Sequence, residues 1–117
     1  MFENQTIMTK NKTRDTHKTC TVKDVLDVIG GKWAMPIIYN LSKGKMRFKE
    51  IERTIDGINT RMLVKELKNL EANGIITRTV FATVPPTVEY ALTTKGEKLL
   101  PSIHSLHQWG VEHAVTR

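Results

Sequence analysis

At 117 residues, with one cysteine and no apolar run long enough to span a membrane, the chain has the size of a single domain. These features exclude an intramolecular disulfide framework and a multi-cysteine zinc site. Its net charge of +6 and pI near 9.6 favour a polyanionic partner, and 39% hydrophobic content is ordinary for a globular protein with a modest core, one that sharing with a second copy would help to complete.

Residues 1–19 are polar and show no sustained period. Lys10, Lys12, Arg14 and Lys18 make this stretch basic, and it reads as a flexible tail able to touch phosphate. It lacks the continuous apolar segment of a secretory signal, so the expected location is the cytoplasm. From Cys20 the pattern changes. Thr21 is placed to cap a helix, and Val22, Val25, Leu26 and Ile29 follow helical spacing up to Gly30-Gly31. That glycine pair follows a helix and lacks the wider phosphate-loop motif, so it reads as a turn. A second helix is predicted from near Lys32, carrying Trp33, Ile37, Ile38 and Leu41, with Pro36 in its first turn and Gly44 at its close. Lys43, Lys45, Arg47 and Lys49 crowd the next junction, and Phe48, Ile51 and Ile55 mark a short third helix stopped by Asp56-Gly57.

The stretch Asn59 to Gly74, NTRMLVKELKNLEANG, predicts an amphipathic helix with both of its ends marked. Asn59 suits the N-cap and Gly74 the left-handed closing position. Leu63, Leu67 and Leu70 share one face, while Arg61, Lys65 and Lys68 share the opposite one. An apolar back, a basic front and polar residues at the leading end are the features of a DNA recognition helix. A solvated surface helix would carry the same pattern, so the rest of the chain must decide. Beyond Gly74 the period becomes two. Ile76, Arg78, Val80 and Ala82 alternate with threonines and Phe81, Val84-Pro85-Pro86-Thr87 interrupts the ladder, and Val88, Tyr90 and Leu92 alternate again. A hairpin in this position is a wing. Thr93 or Thr94 then caps a last helix containing Leu99, Leu100, Ile103, Leu106 and Trp109, which Pro101 is expected to kink. Its apolar surface exceeds what a small domain needs, so a second subunit is expected to cover it, with help from the first helix.

The expected fold is therefore α+β and mostly helical: a winged helix-turn-helix with a two-stranded β-wing and N- and C-terminal dimerisation helices. It occupies residues 20–113, between the tail 1–19 and a short C-terminal tail, 114–117.

Several separated motifs now stand in order: Cys20, IGGKW (Ile29 to Trp33), Arg47-Phe48, LKNLEANGII (Leu67 to Ile76), VPPTVEYALTTKG (Val84 to Gly96) and HQWG (His107 to Gly110). Over residues 20 to 113 the chain resembles the HxlR-type winged helix-turn-helix transcriptional regulators, relatives of the MarR group. The resemblance implies a homodimer that binds double-stranded DNA at a pseudo-palindromic operator, most often as a repressor. It also implies that a cysteine at the position of Cys20 can respond to electrophiles or oxidants, and it admits a small-molecule or electrophile effector.

The expected DNA contacts follow from residue type and position. Asn59, Thr60 and Arg61 lie at the helix end that meets base edges; Arg61 can take guanine bidentately, while Asn59 has a competing use as the cap. Lys65, Lys68, Lys45, Arg47 and Lys49 suit phosphate, and Arg78 lies on the strand leading to an uncharged wing tip. The expected dimer interface comprises Val25, Leu26, Leu99, Ile103, Leu106 and Trp109. Cys20 stands beside a helix start, with His17, Lys18 and Lys23 near it in sequence, features that raise thiol reactivity; lone cysteines are also commonly buried and inert. His104, His107 and His113 have no carboxylate or cysteine ligand set beside them, so neither a metal nor a cofactor is expected. No serine, histidine and carboxylate residues form a catalytic spacing, which argues against an enzyme. The other readings are a winged-helix protein-interaction module and an architectural DNA-binding protein.

Overall fold

The computed structural model describes residues 19–113, and the expectations for the two tails fall outside that range, apart from Thr19. Helix α1 (Val22–Ile29) opens with a capping box: the Asp24 amide donates to Thr21 Oγ1 at 3.2 Å, and the Thr21 amide donates to Asp24 Oδ2 at 2.9 Å. The Thr21 amide and hydroxyl together hold the Asp24 carboxyl below its ordinary pKa. This cap therefore contributes at and above ordinary carboxylate pH and is lost as pH falls through the lowered value. Helix α2 (Ala34–Leu41) starts two residues later than the glycine pair predicts, because Trp33 takes the N-cap position. Pro36 still falls in the first turn, where its missing N–H has no helical partner to lose.

Helix α3 (Phe48–Thr54) and helix α4 (Thr60–Ala72) form the helix-turn-helix. The α4 cap is as expected: Asn59 Oδ1 accepts the Met62 amide at 2.8 Å. At the other end the Ile75 amide reaches the Leu70 carbonyl at 2.9 Å and the Gly74 amide reaches that of Glu71 at 3.0 Å. This reciprocal closure needs a left-handed residue, and Gly74 has φ +74°. Leu63, Leu67 and Leu70 are all buried, against Ile37 and Ile38 of α2 and Ile51 of α3 in one core. Burying a leucine contributes roughly 1.5–3 kcal/mol, so the apolar face rather than helix propensity holds α4 in place.

The wing consists of β2 (Ile76–Phe81) and β3 (Thr87–Leu92), paired antiparallel with Ile76 opposite Leu92 and Phe81 opposite Thr87. The intervening loop contains a cis peptide bond at Val84-Pro85. Two features depart from the expected two-stranded wing. A third strand, β1 (Met46–Arg47), pairs with the free edge of β3, Met46 opposite Tyr90 and Arg47 opposite Glu89. Two residues carry no readable alternation, and this strand exists only because β3 offers an edge. The alternation in β2 also fades: on the face shared with Tyr90, Ile76 is buried but Val80 is 54% exposed. Val80 and Phe81, at the outer end of the strand, are both exposed.

The predicted kinked last helix is instead two helices, α5 (Thr94–Glu97) and α6 (Leu100–Glu112). Pro101 lies in the first turn of α6, where it starts a helix rather than bending one. The cap of α5 is Thr93, whose hydroxyl oxygen accepts the Gly96 amide at 3.0 Å and which also donates to the Gly74 carbonyl at 2.6 Å. This ties α5 to the end of α4, so the chain must turn before α6 can begin. Ile103 of α6 packs into the chain's own core and Leu99 packs against it.

Candidate nucleic-acid interface

The leading end of α4 carries the three expected base readers, and their polar groups are differently engaged. The side-chain oxygen of Asn59 is occupied by the cap. The Thr60 hydroxyl donates to Glu52 Oε2 of α3 at 2.6 Å, which turns it back toward the preceding helix. Arg61 is exposed, and among the described residues its guanidinium has no ion pair or side-chain hydrogen bond. It is the one of the three whose whole polar end has no partner among the described residues. Lys65 and Lys68 are exposed on the same helix, away from the buried leucines.

The basic residues around α3 lie on a second surface. Lys45 is exposed just before β1. Arg47 is the N-cap of α3 and its amide donates to Glu50 Oε1 at 2.7 Å. Lys49 Nζ stands 3.9 Å from Glu52 Oε1, a loose exposed pair of the kind that contributes little. Between this helix and the wing turn lies an open groove of about 470 Å³, bordered by Arg47, Lys49, Arg53, Pro86 and Val88. Arg53 was not among the expected contacts; its signal is its place four residues after Lys49, on the same side of α3.

Arg78 lies elsewhere. Its register opposite Tyr90 puts it on the inner face of the wing, where it borders a 340 Å³ groove with Val64, Lys68 and Glu71 of α4. It therefore accompanies the trailing half of α4 rather than its leading end.

Two features lie outside the basic surfaces. Val22, Val25 and Leu26 on α1, and Leu106, Trp109 and Val111 on α6, are exposed apolar side chains. Of the expected interface, Ile103 and Leu99 are engaged within the chain, which leaves Val25, Leu26, Leu106 and Trp109 free to meet a partner. A groove of about 650 Å³ between α2 and α6 is bordered by Trp33, Met35, Tyr39, Leu106 and His107, with Lys32 and Asp56 as its charged groups. Tyr39 meets the His104 ring edge-on at 5.6 Å, and His113 stacks on Trp109 at 4.8 Å.

Cys20 is exposed and precedes the cap of α1, its thiol 3.5 Å from the Thr21 carbonyl oxygen. His17 and Lys18 lie outside the described residues. Lys23 pairs with Asp27 at 3.5 Å and so is directed along the helix.

Residues 28–117 match the family model described as HxlR-like helix-turn-helix. An uncharacterized HTH-type transcriptional regulator of Methanothermobacter thermautotrophicus is 44% identical over 96 residues, covering 82% of this chain and 73% of that protein. The HTH-type transcriptional regulator YybR of Bacillus subtilis is 46% identical over 91 residues, covering 78% and 73%. Among solved structures, the redox regulator HypR in its oxidized form superposes with a TM-score of 0.76 at 45% identity, covering 80% of this chain and 96% of that one. The reduced form of HypR gives the same TM-score at 44% identity, covering 80% and 92%.

Proposed function

Because the chain belongs to the HxlR-like helix-turn-helix family of transcriptional regulators, which are not enzymes, we propose that it is a homodimeric repressor acting on a pseudo-palindromic operator in the cytoplasm. The observation that carries this reading is the capped leading end of α4, with Arg61 exposed and, among the described residues, unpaired beside a face that carries Lys65 and Lys68. Two such helices, held about 34 Å apart by a two-fold dimer, address successive turns of one side of a duplex. Arg61 takes a guanine edge; Lys65, Lys68, Lys45, Arg47 and Lys49 take phosphate. Arg78 supports the inner side of the wing.

The test is binding of the purified protein to the DNA upstream of its own gene, across a range of salt, with unrelated DNA as control. At least ~10³-fold preference for the upstream DNA is expected. Arg61→Ala should lose about 1–3 kcal/mol on that DNA and relax the preference at one base pair. Lys65→Ala or Lys68→Ala should weaken both DNAs alike. Equal affinity for the two DNAs would favour an architectural role, and no affinity from a folded dimer would favour a protein-interaction module.

The proposed signal is an oxidant or electrophile acting at Cys20. HypR is a redox regulator, and the Cys20 thiol of this chain is exposed where such a reagent can reach it. With one cysteine per chain, oxidation joins the Cys20 thiols of two subunits, which together give up two electrons and two protons to the oxidant. An electrophile instead adds to a single Sγ, which loses its proton. Either change biases the spacing of the two α4 helices. Diamide should release the wild-type protein from DNA and leave Cys20→Ser bound; release of the serine variant to the same extent would remove Cys20 from the mechanism. A smaller-molecule effector has a groove of suitable size between α2 and α6, lined by aromatic and apolar side chains.

A further inference from the structure

Beside the leading end of α4 the fold fixes a negative charge, where a polyanionic partner would favour none. We propose that this residue, Glu52, determines specificity: its carboxylate keeps phosphate away from the start of α4 and so lowers affinity for DNA that lacks the right bases. This inference rests on the DNA-binding reading and gives a part in it to a residue that need not touch the DNA.

Helix starts attract phosphate, because unpaired amides and the helix dipole both favour an anion. At α4 the Asn59 side chain accepts the Met62 amide and the Asn59 carbonyl accepts that of Leu63, whereas the amides of Thr60 and Arg61 have no partner among the described residues. With the Arg61 guanidinium also unpaired there, such an end would hold the backbone of any duplex, whatever its sequence. Glu52 of α3 opposes this. Its Oε2 accepts the Thr60 hydroxyl at 2.6 Å and its side chain is only 22% exposed, so the fold holds the charge in place. Lys49 offsets it weakly: its Nζ lies 3.9 Å from Glu52 Oε1, and its side chain is 79% exposed and free to turn toward a phosphate.

The repulsion weighs differently on two modes of binding. On a matching sequence, Arg61 on a guanine edge fixes the register, which sets the leading end of α4 over bases rather than over a strand. On other DNA no base contact fixes the register and affinity comes from phosphate. The settings that bring a phosphate to the start of α4 are then the ones Glu52 opposes. Specificity is a difference of affinities, so a repulsion felt mainly in the wrong complexes raises it as an added contact in the right one would. Asp56, the carboxylate in the turn between α3 and α4, borders the groove between α2 and α6 and serves as a comparison.

The experiment titrates the full-length protein, across a range of salt, with duplex DNA from upstream of its gene and with unrelated duplex DNA of equal length. Glu52→Gln removes the charge and keeps an oxygen to accept the Thr60 hydroxyl. It should tighten binding to unrelated DNA by about fivefold and steepen the slope of log K against log salt on that DNA by about 0.9, the signature of one added phosphate contact. Affinity for the upstream DNA should change by less than about twofold, so the preference falls. A gain of affinity cannot come from misfolding. Glu52→Asp, which keeps the charge, and Asp56→Asn, which makes the same change in net charge elsewhere, should both retain the wild-type preference. Unchanged binding of Glu52→Gln to unrelated DNA would overturn the proposal. So would equal tightening on both DNAs, or the same fall in preference from Asp56→Asn, since either would reduce the effect to net charge. Weaker binding of Glu52→Gln to the upstream DNA alone would overturn it in favour of a base contact, the carboxylate accepting from a cytosine amino group. A wild-type protein that showed no preference between the DNAs would overturn the underlying reading as well.

Discussion

Gly96→Ala is expected to lower the thermal midpoint by more than about 10 °C. Gly96 is buried in α5, and a Cβ built on it overlaps the carbonyl oxygen of Ile75 and comes within 3.2 Å of the Ile75 side chain. That carbonyl cannot withdraw freely, because it accepts the Thr93 amide at 3.0 Å and the Thr93 hydroxyl at 3.1 Å. The same hydroxyl reaches the Gly74 carbonyl and receives the Gly96 amide, while Lys95 Nζ donates to the Asn73 carbonyl at 2.7 Å. A methyl group here forces apart the junction that joins the end of α4, the start of β2 and α5. Overpacking of this kind costs roughly 1–3 kcal/mol and more where the neighbour is held backbone; at ~4–8 °C per kcal/mol this becomes a large shift. Gly31→Ala is the control, since its added Cβ meets only Glu66 Oε2, at an ordinary 3.7 Å. Circular dichroism melts of the two variants decide the matter: equal midpoints would mean that the α4–α5 junction yields more easily than its hydrogen bonds imply.

The double substitution Leu106→Ala with Trp109→Ala is expected to give a folded monomer that loses at least ~10²-fold in operator affinity. Both side chains are 57% exposed on α6, so their removal takes little from the chain's own core. A tryptophan and a leucine one turn apart are the kind of exposed apolar anchors that a subunit interface buries. Without the dimer, each chain meets one half-site and roughly half of the phosphates, and the affinity falls with the lost contacts. Light scattering at micromolar concentration, paired with the DNA titration, reads both effects. An intact dimer would move the interface to another surface, and a monomer that kept full affinity would show that one recognition helix suffices. Ile103→Ala on the same helix should behave differently. It empties a site in the core and should cost about 2–5 kcal/mol of folding stability before it reaches any interface.

Sequence alone determined the elements whose cause is local. The α4 helix was legible from end to end because its signals lie within one stretch: an asparagine cap, leucines recurring on one face, and a glycine where φ must be positive. The basic face opposite those leucines followed from the same geometry, as did the hairpin interrupted by two prolines. Tertiary structure decided whatever depends on segments far apart in sequence. The two-residue strand β1 forms because β3 presents an edge across forty-odd residues of chain, and no period can announce it. The last helix divides because Thr93 and Gly96 are locked against Gly74 and Ile75, after which Pro101 falls at a helix start and has no bond to break. The contact between the Thr60 hydroxyl and Glu52, and the groove between Arg53 and the wing turn, likewise depend on segments that only the fold brings together. Periodicity says which face of an element is buried, but only packing decides which polar groups on the other face are already taken. At the leading end of α4 that distinction leaves the Arg61 guanidinium without a partner among the described residues, while the Asn59 oxygen and the Thr60 hydroxyl are engaged.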